Sequence, residues 1–277
     1  MNYKQPESSN RRFDFGKNWQ NFSGKIDELR IQEAMKSLTS MLEDVSLQGK
    51  LFMDVGCGSG LFSLAARRLG AQVHSFDFDP DSVACTAHLK NKFFQNDTSW
   101  HIEQGDILNE AYIQSRGQFD VVYSWGVLHH TGNMHKALHN VDMLVKRGGF
   151  LYLAIYNDSG RVSRRWLRIK KLYNDSPQII RFLLVTVIVF LLEAKRALGK
   201  LLRLENPLPY NDWKNKKKQR GMSVWHDYVD LVGGYPFEFA APEQIFSFYK
   251  KKGYMLYQLK TCGGGYGCNE YVFKKLG

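Results

Sequence analysis

The chain has 277 residues, 44% of them hydrophobic, with four cysteines and a formal charge of +11. That length and apolar content allow one large core plus an insertion, and exclude a disulfide-stapled mini-domain or a disordered polyelectrolyte. The opening MNYKQPESSNRRFDFG holds no apolar stretch, so no secretory leader is expected. Cys57, Cys85, Cys262 and Cys268 fit no common zinc pattern, and they are expected as reduced thiols in a cytoplasmic protein without a metal.

Residues 1–44 are expected to form an N-terminal helical segment. Leu51 to Val55 is short and apolar and reads as a buried parallel strand, and Leu61 to Leu69 has the spacing of an amphipathic helix. Gly56, Gly58 and Gly60 therefore sit on a strand-to-helix turn, where ligands bind in open α/β sheets. A second strand, AQVHSFDFDP, ends at Asp77. Asp79 before Pro80 reads as a helix N-cap with proline at N1. WHIEQGDIL supplies a third strand and Asp106, and FDVVYSWGVLHH a fourth strand with its loop. GGFLYLAIYN is the fifth. A helix, APEQIFSFYKKKGY, and two strands, MLYQLKTC and NEYVFKKL, close the chain.

The turn breaks the dinucleotide pattern G-x-G-x-x-G, because its glycines alternate and Leu61 stands where the third would fall. Asp54 would also repel a pyrophosphate. S-adenosylmethionine has no phosphate and carries a sulfonium and an ammonium group, so it suits an acid at the strand end. About 20 residues beyond the turn, Asp77 is placed to accept ribose hydroxyls.

The run DVGCGSG, SFDFDP, GDIL, FDVVYSWGVLHH and KRGGFLYLAIYN resembles the class I S-adenosylmethionine-dependent methyltransferases, especially the small-molecule O-methyltransferases of the ubiquinone-biosynthesis type. The resemblance implies an α/β fold: a doubly wound, Rossmann-like seven-stranded sheet with its last strand antiparallel and a largely helical insertion between strands 5 and 6. It places Asp54, Gly56, Gly58 and Gly60 around the methionine moiety, Asp77 on the ribose, and Asp106 with Ile107 on the adenine. Cys57, Phe78, Ser124 and Trp125 complete the expected cofactor set. The implied organisation is 45–157 as cofactor-binding core, 158–240 as inserted lid or interfacial region, and 241–277 as the C-terminal part of the core. RGMSVWHDYVDLVGGYPFEFAAPEQIF and TCGGGYGCNEYVF also resemble methyltransferases that accompany bacterial surface-polysaccharide genes.

Within the insertion, residues 179–204 begin apolar all round and end amphipathic, with Ala194, Ala197, Leu198, Leu201 and Leu202 at helical spacing. The apolar run Phe182 to Leu192, about 11 residues, is too short to span a bilayer, which needs about 20. Two readings stand: a lid or homodimer helix over the site, or a helix lying in a membrane surface. For the latter, Lys170 and Lys171 before it and Lys195, Arg196, Lys200 and Arg203 after it would suit anionic headgroups. The basic runs RVSRRWLRIKK and KNKKKQR keep nucleic acid open as a partner, with an RNA-modifying methyltransferase as the alternative function and a non-catalytic binding module behind it. No separate RNA-binding module is recognisable, and anionic small or lipid-linked acceptors rank above RNA.

Methyl transfer to an alcohol needs alignment and a base. His130 on the fourth-strand loop is the first candidate, with His129 expected to pack or cap the next helix. His226 with Asp227 is the rival base and orienting acid, and Asn157, Asn269 and Glu270 are lesser candidates for acceptor contacts. The expected activity is O-methylation of a small or lipid-/phosphate-linked acceptor.

Overall fold

The short apolar runs become strands in the computed structural model, which describes Phe13, Gly16 and residues 26–206, 208 and 224–276. The basic run Lys214 to Arg220 lies outside the described residues. The strands are β1 Leu51–Val55, β2 Gln72–Asp77, β3 Trp100–Gln104, β4 Phe119–Trp125, β5 Val145–Tyr156, β6 Tyr254–Lys260 and β7 Cys268–Lys275. They form one sheet in the order β3-β2-β1-β4-β5-β7-β6. β7 runs antiparallel to both β5 and β6, and the other described pairings are parallel. This is the sheet expected from the sequence. β1 and β4 are buried along most of their length, as a parallel sheet covered on both faces requires.

Among the described residues, six helices cover the two faces. α1 (Glu28–Leu42), α2 (Leu61–Arg68) and α3 (Pro80–Phe93) pack on one side through Ile31, Leu38, Leu64 and Leu89. α4 (Glu110–Ser115), α5 (Met134–Met143) and α9 (Pro242–Lys251) pack on the other through Ile113, Leu138, Val141 and Tyr249. Local chemistry sets their starts. Asp27 accepts from Arg30 N at the head of α1, and Asp79 accepts from Asp81 N at the head of α3, with Pro80 at the first helical position.

Between α5 and α9 the chain leaves the sheet after β5 and returns before α9. This insertion carries α6 (Arg161–Asp175), α7 (Gln178–Leu202) and α8 (Val224–Gly233) around its own apolar cluster of Trp166, Tyr173, Val185, Tyr228, Val232 and Phe237. Its two ends are tied together: Asn157 and Ala240 form a parallel bridge, and Ala240 N donates to Tyr156 O at 2.9 Å. No helix among the described residues is long and apolar enough to cross a membrane. The periodicity of α7 leaves open which way its apolar positions face. In the structure Val185 is its buried residue, and Leu198, Leu201 and Leu202 face solvent.

Candidate active site

The glycine turn is held from three sides. Gly56 N and Cys57 N both donate to Phe76 O, at 2.8 and 3.1 Å, and Gly60 N donates to Cys57 O. Gly56, Gly58 and Gly60 all have positive φ, a region that side chains disfavour. Space demands glycine as well: a Cβ on Gly56 would lie 2.5 Å from the Val127 side chain, and one on Gly60 2.9 Å from the Thr86 Cα. The first contact shows that the loop after β4 packs directly on the glycine turn.

Asp54 does not face outward. It is almost wholly buried, and its Oδ2 accepts from Ser63 Oγ at 2.5 Å in the first turn of α2. Ser63 Oγ in turn meets Ser75 Oγ at 2.8 Å, and Trp100 Nε1 donates to Ser75 at 2.9 Å. The Ser63 bond holds the Asp54 carboxylate beneath the glycine turn, at the end of β1. Burial pushes its pKa up to about 7.

At the end of β2, Asp77 Oδ2 accepts from Gly58 N and Oδ1 from Asp79 N, both at 2.9 Å. Phe78 N is a third backbone donor to it, and of a carboxylate's about four lone-pair sites one is left for a ligand's hydroxyl. Burial again dominates and lifts Asp77 to about 6. Asp79 caps α3 and also accepts from Gly16 N at 2.9 Å, which brings a residue of the N-terminal segment beside the site. Phe78 is exposed between the two acids. At the end of β3, Asp106 Oδ1 accepts from Leu108 N at 2.8 Å and Ile107 is buried, its carbonyl held by Asn140 Nδ2 at 2.7 Å. Ser124 is buried with its Oγ on Val55 O, and Trp125 stands partly exposed at the end of β4. Cys57 is a buried thiol that accepts from Thr86 Oγ1 at 3.2 Å.

Beyond β4, a short 3-10 turn carries Leu128–His130. His129 is buried, with its Nδ1 3.4 Å from Tyr156 N, its ring against Tyr156, and no hydrogen-bond partner at Nε2 among the described residues. Burial holds its pKa well below the ordinary value. It packs and does not cap: Asn133 and Glu238 accept from Lys136 N and Met134 N at the head of α5. His130 Nδ1 lies 2.5 Å from Pro236 O. A carbonyl only accepts, so Nδ1 carries the proton and Nε2 is the basic nitrogen. Burial first, and Lys170 second, press the His130 pKa down to about 3. The side chains of His226 and Asp227 lie outside the described residues.

The insertion and the β6–β7 loop wall this region with aromatic rings. Tyr156 meets Phe237 at 4.9 Å and Tyr266 at 5.5 Å between centroids, and Trp166 meets Tyr266 at 5.2 Å. Lys170 is buried behind them, its Nζ donating to Leu231 O at 2.7 Å and lying 4.9 Å from the Phe237 centroid. Burial lowers it to about 7. The residues expected to contact an acceptor from β5 and β7 are instead engaged internally. Asn269 Nδ2 donates to Asn157 Oδ1 at 3.0 Å, and Glu270 accepts from Tyr152 OH at 2.5 Å. A separate open cleft of about 470 Å³, lined by Asp44, Lys50, Asp120 and Arg147 among others, lies at the opposite edge of the strands and holds none of these groups.

Residues 53–151 match the family described as a methyltransferase domain. This stretch is a class I S-adenosylmethionine-dependent methyltransferase domain. A ubiquinone biosynthesis O-methyltransferase from Coxiella burnetii is 28% identical over 144 residues, covering 52% of this chain and 59% of that protein. One from Xanthomonas campestris pv. campestris is 32% identical over 113 residues, 41% of this chain and 46% of that protein. The chain thus spans about half the length of these curated relatives. Among solved structures, magnesium protoporphyrin IX methyltransferase from Synechocystis PCC 6803 with bound SAH shares the fold. Its TM-score is 0.55 at 14% identity, with 94% of this chain and 93% of that chain covered.

The methyltransferase domain fits the cofactor of its family, S-adenosylmethionine. The turn is a cradle that three Cβ atoms would fill or strain, it has two carboxylates beside it, and one of them, Asp77, keeps acceptor capacity for a ligand hydroxyl. Periodicity and motif order located that cradle in the sequence. The wall of Tyr156, Trp166, Phe237 and Tyr266 and the buried Lys170 were missed. Their one signal was aromatic density in GGYPFEF and GGGYG.

The raised carboxyl pKa values give a testable sign. Below pH 7 the free domain holds protons on Asp54 and Asp77 that a cationic ligand disfavours, so binding releases them. Affinity for S-adenosylmethionine should therefore rise between about pH 5 and pH 7, by up to about tenfold per pH unit per proton released, and level off above. Titration calorimetry in buffers of different ionisation enthalpy counts those protons. A flat profile would show that the two acids do not sense the ligand.

Proposed function

We propose that the chain transfers a methyl group from S-adenosylmethionine to an oxygen of a small acceptor held beneath the insertion. The observation that carries this reading is the bond between His130 Nδ1 and Pro236 O. It joins the β4 loop to the insertion and presents Nε2 as a base, three residues from the Val127 side chain that abuts the glycine turn. The ubiquinone-type relatives support oxygen as the atom methylated.

When bound, S-adenosylmethionine supplies an electrophilic methyl carbon on a sulfur that leaves as a neutral thioether. Asp77 and the glycine turn orient it. The aromatic wall excludes water and holds an acceptor with an apolar or ring-bearing body, since Tyr156, Phe237, Tyr266 and Trp166 offer faces and edges within one cluster. His130 Nε2 takes the hydroxyl proton as the acceptor oxygen bonds to carbon. Alignment contributes most of the rate, because a positioned pair replaces a bimolecular encounter. The exposed cations of α6 suit an acceptor that carries phosphate.

Incubation with methyl-labelled S-adenosylmethionine tests this against phenols, sugar hydroxyls, phosphate-linked sugars and total RNA. A methyl ether identified by mass spectrometry is the expected product. Label in RNA, or on nitrogen, would replace the reading.

A further inference from the structure

Helix α7 presents solvent with the wrong kind of surface for a water-soluble lid. It is 25 residues long, about 37 Å, and one side of it is apolar from end to end. Ile179 is 77% exposed, Phe190 71% and Leu202 79%, with Phe182, Leu183 and Leu198 along the same stripe. The polar residue within the first half of the stripe is Thr186, and its hydroxyl donates to Phe182 O at 2.9 Å, so it asks little of water. The acid of this helix, Glu193, is turned away, accepting from Tyr228 and from Arg196. Trp225 of α8 sits partly exposed with its ring 5.6 Å from Phe182.

α6 packs with α7 in the insertion's apolar cluster. Its outward face carries Arg161, Arg164, Arg165, Arg168 and Lys171, all exposed, and none of them makes an ion pair among the described residues. An exposed apolar helix face with a tryptophan against it, on a helix packed with a cationic one, is the chemistry of a helix lying in the plane of a bilayer with anionic headgroups. A second copy of the chain fits less well, because the exposed stripe of α7 holds no acid to meet the α6 cations.

We propose that the α6–α7 face seats on an anionic lipid bilayer, with α7 embedded along the interface and the α6 cations on headgroup phosphates. The proposal concerns binding and stands apart from the identity of the acceptor. The full chain should float with phosphatidylglycerol-containing vesicles at low salt and remain behind with pure phosphatidylcholine, while Trp225 contributes a blue-shifted emission on binding. Phe182→Ser with Phe190→Ser should lower vesicle affinity about tenfold or more, as should Arg164→Glu with Arg165→Glu and Arg168→Glu. Both variants change exposed side chains, and unaltered calorimetric binding of S-adenosylmethionine will verify that each is folded. Equal partition onto neutral and anionic vesicles, or none onto either, would overturn the proposal. So would a concentration-dependent dimer in lipid-free buffer, seen by sedimentation velocity, that the phenylalanine variant dissolves.

Discussion

Asp77→Ala should weaken binding of S-adenosylmethionine by about 1.5–3 kcal/mol, roughly 10- to 150-fold, if this acid is the charge-assisted acceptor for the ribose. The structure adds a second cause. Asp77 also accepts from Gly58 N, so the same substitution loosens the turn that receives the ligand. Asp79→Ala is the matched control. It removes the cap of α3 and the tie to Gly16 N, and should cost about 0.5–2 kcal/mol of fold stability while affecting the cofactor far less. Calorimetry measures the first effect and a denaturant midpoint the second. If Asp79→Ala weakens the cofactor more than Asp77→Ala does, the ribose partner has been misplaced by one turn of chain.

His130→Ala should lower kcat by about 10²-fold with cofactor affinity little changed, the lower end of what a positioned base contributes. The lower end follows from its environment. Burial presses the imidazole pKa to about 3, which makes Nε2 a weak base but keeps it unprotonated at every working pH. The pH profile of kcat should accordingly show no limb in the ordinary histidine range, and added imidazole should restore part of the lost rate. The same shift bears on stability with a definite sign. A histidine whose folded pKa lies below its unfolded value near 6.5 leaves the unfolded state holding more protons, so its contribution is complete above about pH 6.5 and fades as pH falls toward 3. Near-normal turnover in His130→Ala would assign the transfer to alignment alone.

What could be read before folding and what could not divides along physical lines. Short apolar runs, capping residues and glycine punctuation are local signals, and they located β1 through β7, the cap at Asp79 and the acids at strand ends. Asp54 shows the limit of such signals. Its position was legible, but its burial and its partner Ser63, nine residues on and in the next helix, were not. The tautomer of His130 depends on a carbonyl 106 residues away, which no local pattern encodes. The aromatic wall is assembled from β5, α6, the approach to α9 and the β6–β7 loop, so its members are distant in sequence. For α7, periodicity marked an apolar face only in the second half, and which side turns inward was set by packing with α6 and α8.

The bridge between Asn157 and Ala240 makes the insertion a side branch of the sheet. Its two stems are hydrogen-bonded neighbours, and the Asn157–Asn269 pair anchors the departing stem to β7. Trp166, Lys170 and Phe237, the insertion's share of the aromatic wall, enter and leave through one narrow neck. Doubling the length of such a branch adds only about 0.6 kcal/mol of closure entropy, so the sheet is nearly indifferent to what hangs from it. A lineage could exchange one branch for another, and with it the acceptor, while the methyl donor's cradle passed on unchanged.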